Sequence, residues 1–293
     1  MTRPRIALAA AEQFTDLDGE RVPLSAALAG RGVDAEAAVW DDRSVDWSQF
    51  DAVVVRATWD YVQRLDHFLA WAAHVAAVTR LANPLEVLRW NTNKRYLASL
   101  EAGGLPVVHT DWLEPGDAFT PPTRSTEYVV KPAVSAGSRD THRYTAVEDD
   151  AAAERQVRAL LAAGRTVMVQ PYLDAIDSEG ETAMLYFAGE WSHSIRKGPL
   201  LERGGAPVLD AFKRENVSSR TPSDVERATA ERVLDALPWS RHDLTYARVD
   251  LVPGDEGPVV IEIELTEPSM FLDHSDDAVD RFAAAIAALV AAP

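Results

Sequence analysis

The chain has 293 residues, 47% of them hydrophobic and 26% charged, with a formal net charge of −17 at pH 7. This suits a globular protein of roughly two or three subdomains, and the negative charge opposes nucleic acid or an anionic membrane as partner, because any phosphate site must be made locally positive. No cysteine is present, which excludes disulfides, thiolate metal sites and cysteine nucleophiles.

The start, MTRPRIALAAAEQF, holds an apolar run too short for a signal segment, and Phe282 to Ala292 is too short to span a membrane, so a cytoplasmic protein is expected. Arg5 to Ala10, Ala35 to Val39 and Ala52 to Val55 read as strands, with a helix near Leu24 to Leu28 stopped by Gly30 and Gly32. This β-α-β opening implies a small parallel sheet, and ligands of such sheets sit beyond the carboxyl ends of the strands. Glu12, Arg56, Trp59, Asp60 and Tyr61 therefore become candidate substrate contacts. A plainer reading lets Trp59 and Tyr61 cap the sheet and Asp60 cap the next helix. No GxGxxG follows the first strand, so a dinucleotide fingerprint is missing.

Leu65 to Arg80 has helical spacing, with Phe68 and Trp71 assigned to the core. Asn83-Pro84 breaks the pattern, and a second helix runs from about Thr92 to Ala102. Val107 to His109 and Tyr128 to Lys131 read as strands around a Pro- and Thr-rich loop. Lys131 ends its strand just before Pro132 to Ser138, a run of small residues whose backbone N–H groups can approach an anion closely. A helix from Asp149 to Ala163 and a strand from Thr166 to Val169 follow, suggesting a compact α+β lobe.

Glu181 to Lys197 reads as two strands meeting at Ala188-Gly189. Arg196 and Lys197, at the end of the second, are candidate triphosphate or carboxylate contacts or else a solvated strand end, and Gly198 to Pro207 reads as a mobile loop. Ser223 and Glu226 match a capping box for a helix to about Leu237, and Asp276 to Ala292 reads as a final helix.

Tyr246 to Pro268 is the most informative stretch, two strands joined by a turn at Gly254 to Gly257. Alternation puts Arg248 with Asp250, and Glu262 with Glu264, so the hairpin can gather three carboxylates and a guanidinium on one surface. Such oxygen ligands suit magnesium beside substrate phosphates, while the plainer reading is a solvated acidic face. Zinc spacing of the HxxxH or HxH kind and a GxSxG elbow are both absent.

In order, these motifs resemble the ATP-grasp ligases, relatives of D-alanine–D-alanine ligase and glutathione synthetase. The resemblance implies an α/β chain with an ATP-grasp fold behind a small parallel-sheet domain, divided as residues 1–91, 92–173 and 174–293. It implies that Lys94 in NTNKRYL and Lys131 in VVKP bind phosphate, and that Ser135, Ala136, Gly137 and Ser138 close over it. It assigns Gln170, Pro171, Tyr172 and Leu173 to the adenine hinge and either Asp174 or Glu181 to the ribose. Arg248 becomes the catalytic cation, with Arg196 as a second catalytic candidate and Lys197 as a nucleotide contact, and Asp250, Glu262 and Glu264 become the metal ligands. Glu264 replaces the usual Asn of the family, so extra negative charge should tighten metal binding or move the metal.

Within the superfamily, TWDY, FLAW, QPYL, SHSIRKGP and EIELTEPSMFL are similar to the group containing the cyclo-ligase of D-cycloserine biosynthesis, which closes O-ureido-D-serine at its carboxylate. The implied reaction is ATP-dependent joining of a carboxylate to nitrogen through an acylphosphate, with Mg2+ or Mn2+ and a small amino-acid-type substrate, without nucleic acid or membrane. The rivals are a kinase-like phosphotransferase and a non-catalytic nucleotide-binding protein. A homodimer is the commonest assembly to expect.

Overall fold

A computed structural model of the chain describes residues 2–17, 19–123, 125–201, 203 and 216–291. The first sheet contains β1 (Arg5–Ala10), β2 (Asp34–Val39), β3 (Ala52–Ala57) and β4 (Arg80–Ala82), all parallel in the order β2-β1-β3-β4. The expected long helix ends earlier, as Leu65–Val78, because Arg80 already belongs to β4. Phe68 and Trp71 are buried in it, as its spacing requires.

A second, antiparallel sheet contains β5 (Asp111–Leu113), β6 (Glu127–Pro132), β7 (His142–Thr145) and β8 (Val167–Pro171), ordered β5-β8-β6-β7. The third contains β9 (Glu181–Phe187), β10 (Glu190–Lys197), β11 (Val217–Ser219), β12 (Tyr246–Gly254) and β13 (Gly257–Glu264), ordered β11-β10-β9-β12-β13. The helix expected from about Thr92 begins later, as Tyr96–Ala102, and a further short helix, Leu85–Asn91, precedes it. Val107 to His109 is not a strand of the second sheet. It lies along the edge of β13, where Val108 N donates to the Val260 carbonyl and Val260 N donates to the Pro106 carbonyl. The capping box forms, with Ser223 and Glu226 bonding reciprocally. The stretch read as a mobile loop lies outside the described residues at 202 and from 204 to 207, as does Ala292 of the last helix. Among the described residues no helix is long and apolar enough to cross a membrane.

Beyond β13 the chain turns irregular yet stays largely inside the protein, with Leu265, Thr266, Glu267, Met270 and Leu272 all buried. Backbone withdrawn from water must find partners, and here side chains supply them in succession. Asn83 Nδ2 donates to the Leu265 carbonyl at 2.8 Å, and the Tyr246 hydroxyl lies 2.8 Å from the Thr266 carbonyl oxygen. Trp59 Nε1 donates to the Glu267 carbonyl at 2.9 Å and an Arg56 guanidinium nitrogen to Pro268 at 3.0 Å. Arg248 donates to Ser269 at 3.3 Å, while His193 Nε2 lies 2.9 Å from the Met270 oxygen and 3.1 Å from that of Phe271. Half of these donors come from the first 83 residues, so this segment fastens the parallel sheet to the third sheet.

Asn91 completes the fastening, donating to Ile263 and accepting from Leu265 N at 2.7 Å and from the Thr266 hydroxyl at 3.1 Å. Asn91→Ala leaves buried backbone groups without partners, and denaturant titration is expected to show a loss of about 2–4 kcal/mol.

Candidate active site

The cleft lies between the second and third sheets. Its inner half is apolar. Val108, Val129, Tyr172, Ile176 and Ile261 belong to one hydrophobic cluster and form a slot that suits a flat ring. Tyr172 is fixed from behind: its hydroxyl donates to Asp177 at 2.6 Å, and the Arg143 guanidinium lies over its ring while bonding Glu127 and Asp177. The hinge meets β6, where Tyr172 N donates to the Glu127 carbonyl. The Gln170 side chain is spent on the Thr110 hydroxyl, which leaves backbone for any ligand at this point.

The other half is cationic. Lys94, Lys131 and Lys197 line it together with Ser135, Ala136, Gly137 and Ser138. Gly137 and Ser138 both take positive φ, 62° and 58°, in the tight turn that carries the small-residue run past the lysines. Lys94 donates to the Ser135 carbonyl at 2.8 Å and pairs with Glu262 at 3.0 Å. Lys197 sits between Glu181 at 2.9 Å and Asp250 at 2.6 Å. Glu181 reaches it because Gly180, at φ 73°, passes so close to Lys197 that a Cβ there would overlap its carbonyl oxygen. Lys131 is 8% exposed and makes no ion pair among the described residues. Burial pushes its ammonium down to about 8, with Lys94 adding to the shift and Glu262 opposing it.

The hairpin forms the floor. Arg248 stands opposite Glu264 and Asp250 opposite Glu262, with a register shift just beyond Asp250. This is no solvated face, since Asp250 is 1% exposed and takes bonds from Arg248 Nε at 2.8 Å and Lys197 Nζ at 2.6 Å. Burial alone would raise the Asp250 carboxyl, but Arg248 and Lys197 outweigh it and hold it at about 2. Glu264 pairs with Arg248 at 2.5 Å and keeps 26% of its side chain open to the cleft. Burial, helped by Glu262 and Asp250 and opposed by Arg248, pushes it up to about 7. Among the described residues no three His, Asp or Glu side chains gather as a metal nest. Glu262 and Glu264 offer hard oxygens to the cleft, whereas both oxygens of Asp250 are engaged by Arg248 and Lys197.

The structure thus brings together most residues singled out from the sequence, and sets seven of them apart. Arg196 lies on the other side of β10 from Lys197, because strand neighbours alternate, and it bonds the Ser178 and Glu179 carbonyls. Asp174 is exposed and does not line the cleft, whereas Glu181 does. Arg56 is buried in the clasp to Pro268 and Glu20. Asp60 accepts from Trp40 Nε1 and pairs with Arg64, and it does not cap the helix. Glu12 is exposed. Trp59 Nε1 instead donates to the Glu267 carbonyl, and the Tyr61 phenol is placed to bond the Glu267 carboxyl. Sequence reasoning gave Glu267 no role. It follows the last regular strand residue, where alternation ceases to indicate direction.

The family model for the N-terminal domain of D-cycloserine synthetase DcsG matches residues 6–83. The cycloserine biosynthesis protein DcsG of Streptomyces lavendulae is 39% identical over 291 residues, covering 92% of this chain and 94% of that protein. The chain belongs to the DcsG family. The crystal structure of D-cycloserine synthetase DcsG superposes with a TM-score of 0.88 at 37% identity, over 98% of this chain and 99% of that one. D-alanine–D-alanine ligase from Bacillus anthracis superposes at 0.68 with 12% identity, covering 99% and 97%, and shares the ATP-grasp fold. As a DcsG-family chain with this fold, it is a synthetase of the ATP-grasp ligase type.

Phosphate favours the charged form of Lys131, so nucleotide binding should be strongest below the point where free Lys131 loses its proton. ATP affinity, measured by calorimetry, is expected to fall as pH rises through about 8. Lys131→Ala should bind weakly and flatten that part of the profile.

Proposed function

We propose that the chain closes an amino-acid derivative of the O-ureido-D-serine type on its own carboxylate at the expense of ATP. The observation that carries this reading is one cleft joining an apolar slot to three lysines, in a chain 39% identical to a protein named for cycloserine biosynthesis. Adenine fits the slot beside Tyr172 and Leu173, the ribose meets Glu181, and the phosphates meet Lys94, Lys131, Lys197 and the Ser135–Ser138 turn. The hard-oxygen chemistry of Glu262 and Glu264 fits magnesium beside those phosphates. Such an ion would offset phosphate charge there, with manganese as an alternative. Asp250 would join them only by exchanging its bonds to Arg248 and Lys197, and otherwise aligns those two cations.

The substrate carboxylate takes the γ-phosphoryl group, giving an acylphosphate and ADP. A nitrogen of the same molecule then attacks the acyl carbon, giving up its proton as phosphate leaves. Attack by the oxygen-bound nitrogen closes a five-membered ring. Both steps gather negative charge on oxygen, and fixed cations stabilise it without reorganising. Arg248 is so fixed, since Asp250, Glu264 and the Ser269 carbonyl hold its guanidinium. The setting expected for this reaction is the cytoplasm, with a homodimer as the expected assembly.

The test is coupled ADP release with O-ureido-D-serine, with phosphate assay and mass spectrometry of the product. Stoichiometric ADP and free phosphate with a cyclised product are expected, whereas a phosphorylated product without free phosphate would make the protein a phosphotransferase. Arg248→Ala should lower ADP release about 100- to 1000-fold while circular dichroism remains that of the folded chain. Wild-type turnover in that variant would remove Arg248 from the chemistry.

A further inference from the structure

Three carboxylic acids are buried among the described residues: Glu127, Asp250 and Glu267. Two have cations, Glu127 from Arg143 and Arg203, and Asp250 from Arg248 and Lys197. Even the partly open Glu262 and Glu264 are paired, with Lys94 and Arg248. Glu267, only 8% exposed, has no cationic partner among the described residues, and the neutral phenol of Tyr61 is placed to bond its carboxyl. A buried acid without a counter-charge is costly, and proteins pair or neutralise such groups. Burial first, then the charge of Glu264, pushes the Glu267 carboxyl up to about 8, with Glu262 adding and Lys94 opposing.

Lys131 presents the mirror case, a buried cation without an anion among the described residues, and the triphosphate supplies what it lacks. The position of Glu267 indicates what would complete it. It lies in the segment fastened to Trp59 on one side and, two residues on, to Arg248 through the Ser269 carbonyl. In an α-amino acid the ammonium and carboxylate share one carbon, so a substrate whose carboxylate is activated near Arg248 carries its ammonium only a few bonds away. We propose that the Glu267 carboxylate, oriented by Tyr61, receives the α-ammonium of the substrate and makes the enzyme selective for amino acids over their des-amino analogues. Trp59 and Tyr61 then serve the substrate by holding Glu267, Trp59 at its backbone and Tyr61 at its side chain. This inference rests on the proposed reaction.

Two measurements separate the inference from that reaction. Calorimetry compares binding of O-ureido-D-serine with that of its analogue bearing hydrogen in place of the amino group, and ADP release follows turnover of both. The wild type is expected to prefer the amine by about 100-fold. Glu267→Gln, which keeps the shape and the Tyr61 bond, should reduce that preference to a few-fold, through KM far more than kcat and without altering ATP binding. Tyr61→Phe should retain most of the preference. A Gln variant that keeps the wild-type preference, or weakens both ligands equally, overturns the ammonium site, as does a wild type with no preference. ADP release without amine preference overturns the site and leaves the reaction standing. Amine-selective binding lost in the Gln variant, without ADP release, supports the site and overturns the reaction, and absence of binding overturns both.

Discussion

Irregular backbone cannot stay inside a protein unless its polar groups are satisfied, and in this chain the segment from Leu265 to Phe271 carries that constraint. Its carbonyls are met one after another by Asn83, Tyr246, Trp59, Arg56, Arg248 and His193. Those donors stand on the parallel sheet, on the segment after it and on the third sheet. Satisfying one stretch of chain therefore fixes how the N-terminal region meets the third sheet. It also explains why Arg56 is withdrawn from ligand contact, since the same guanidinium serves Pro268 and Glu20.

A second constraint is electrostatic. With a net charge of −17, the chain must concentrate positive charge wherever it receives phosphate. It does so by interleaving Lys94, Lys197 and Arg248 with Glu262, Glu181, Asp250 and Glu264. The paired cations are held in place before any ligand arrives, which is the condition for electrostatic stabilisation at little reorganisation cost. The two buried charged side chains without an ion partner among the described residues are Lys131 and Glu267. Their opposite signs match the two ends of the proposed chemistry, phosphate and ammonium.

The apolar side of the cleft obeys the same logic. The cluster of Val108, Val129, Tyr172 and Ile176 against Ile261 is assembled from both flanking sheets, so neither sheet alone holds a slot. Behind it, the Arg143 guanidinium is shared by Glu127 and Asp177 and stacks on Tyr172. The hinge is thereby rigid on its far side and free to present backbone toward the cleft.

The sequence by itself determined what depends on local periodicity and order. The parallel opening, the capped helix at Ser223, the hairpin and the succession of Lys94, Lys131, the small-residue turn and Arg248 were all legible, because strand and helix periods and turn residues act over a few positions. Very short elements such as β4 and β11 carry too few residues to show a period. Only the tertiary structure decided which way non-periodic or strand-end side chains turn: Lys197 inward and Arg196 outward, Asp60 to Trp40, Arg56 into the clasp and Glu267 to Tyr61. Those directions depend on partners more than two hundred residues away along the chain, and no local pattern encodes a partner that folding alone brings near.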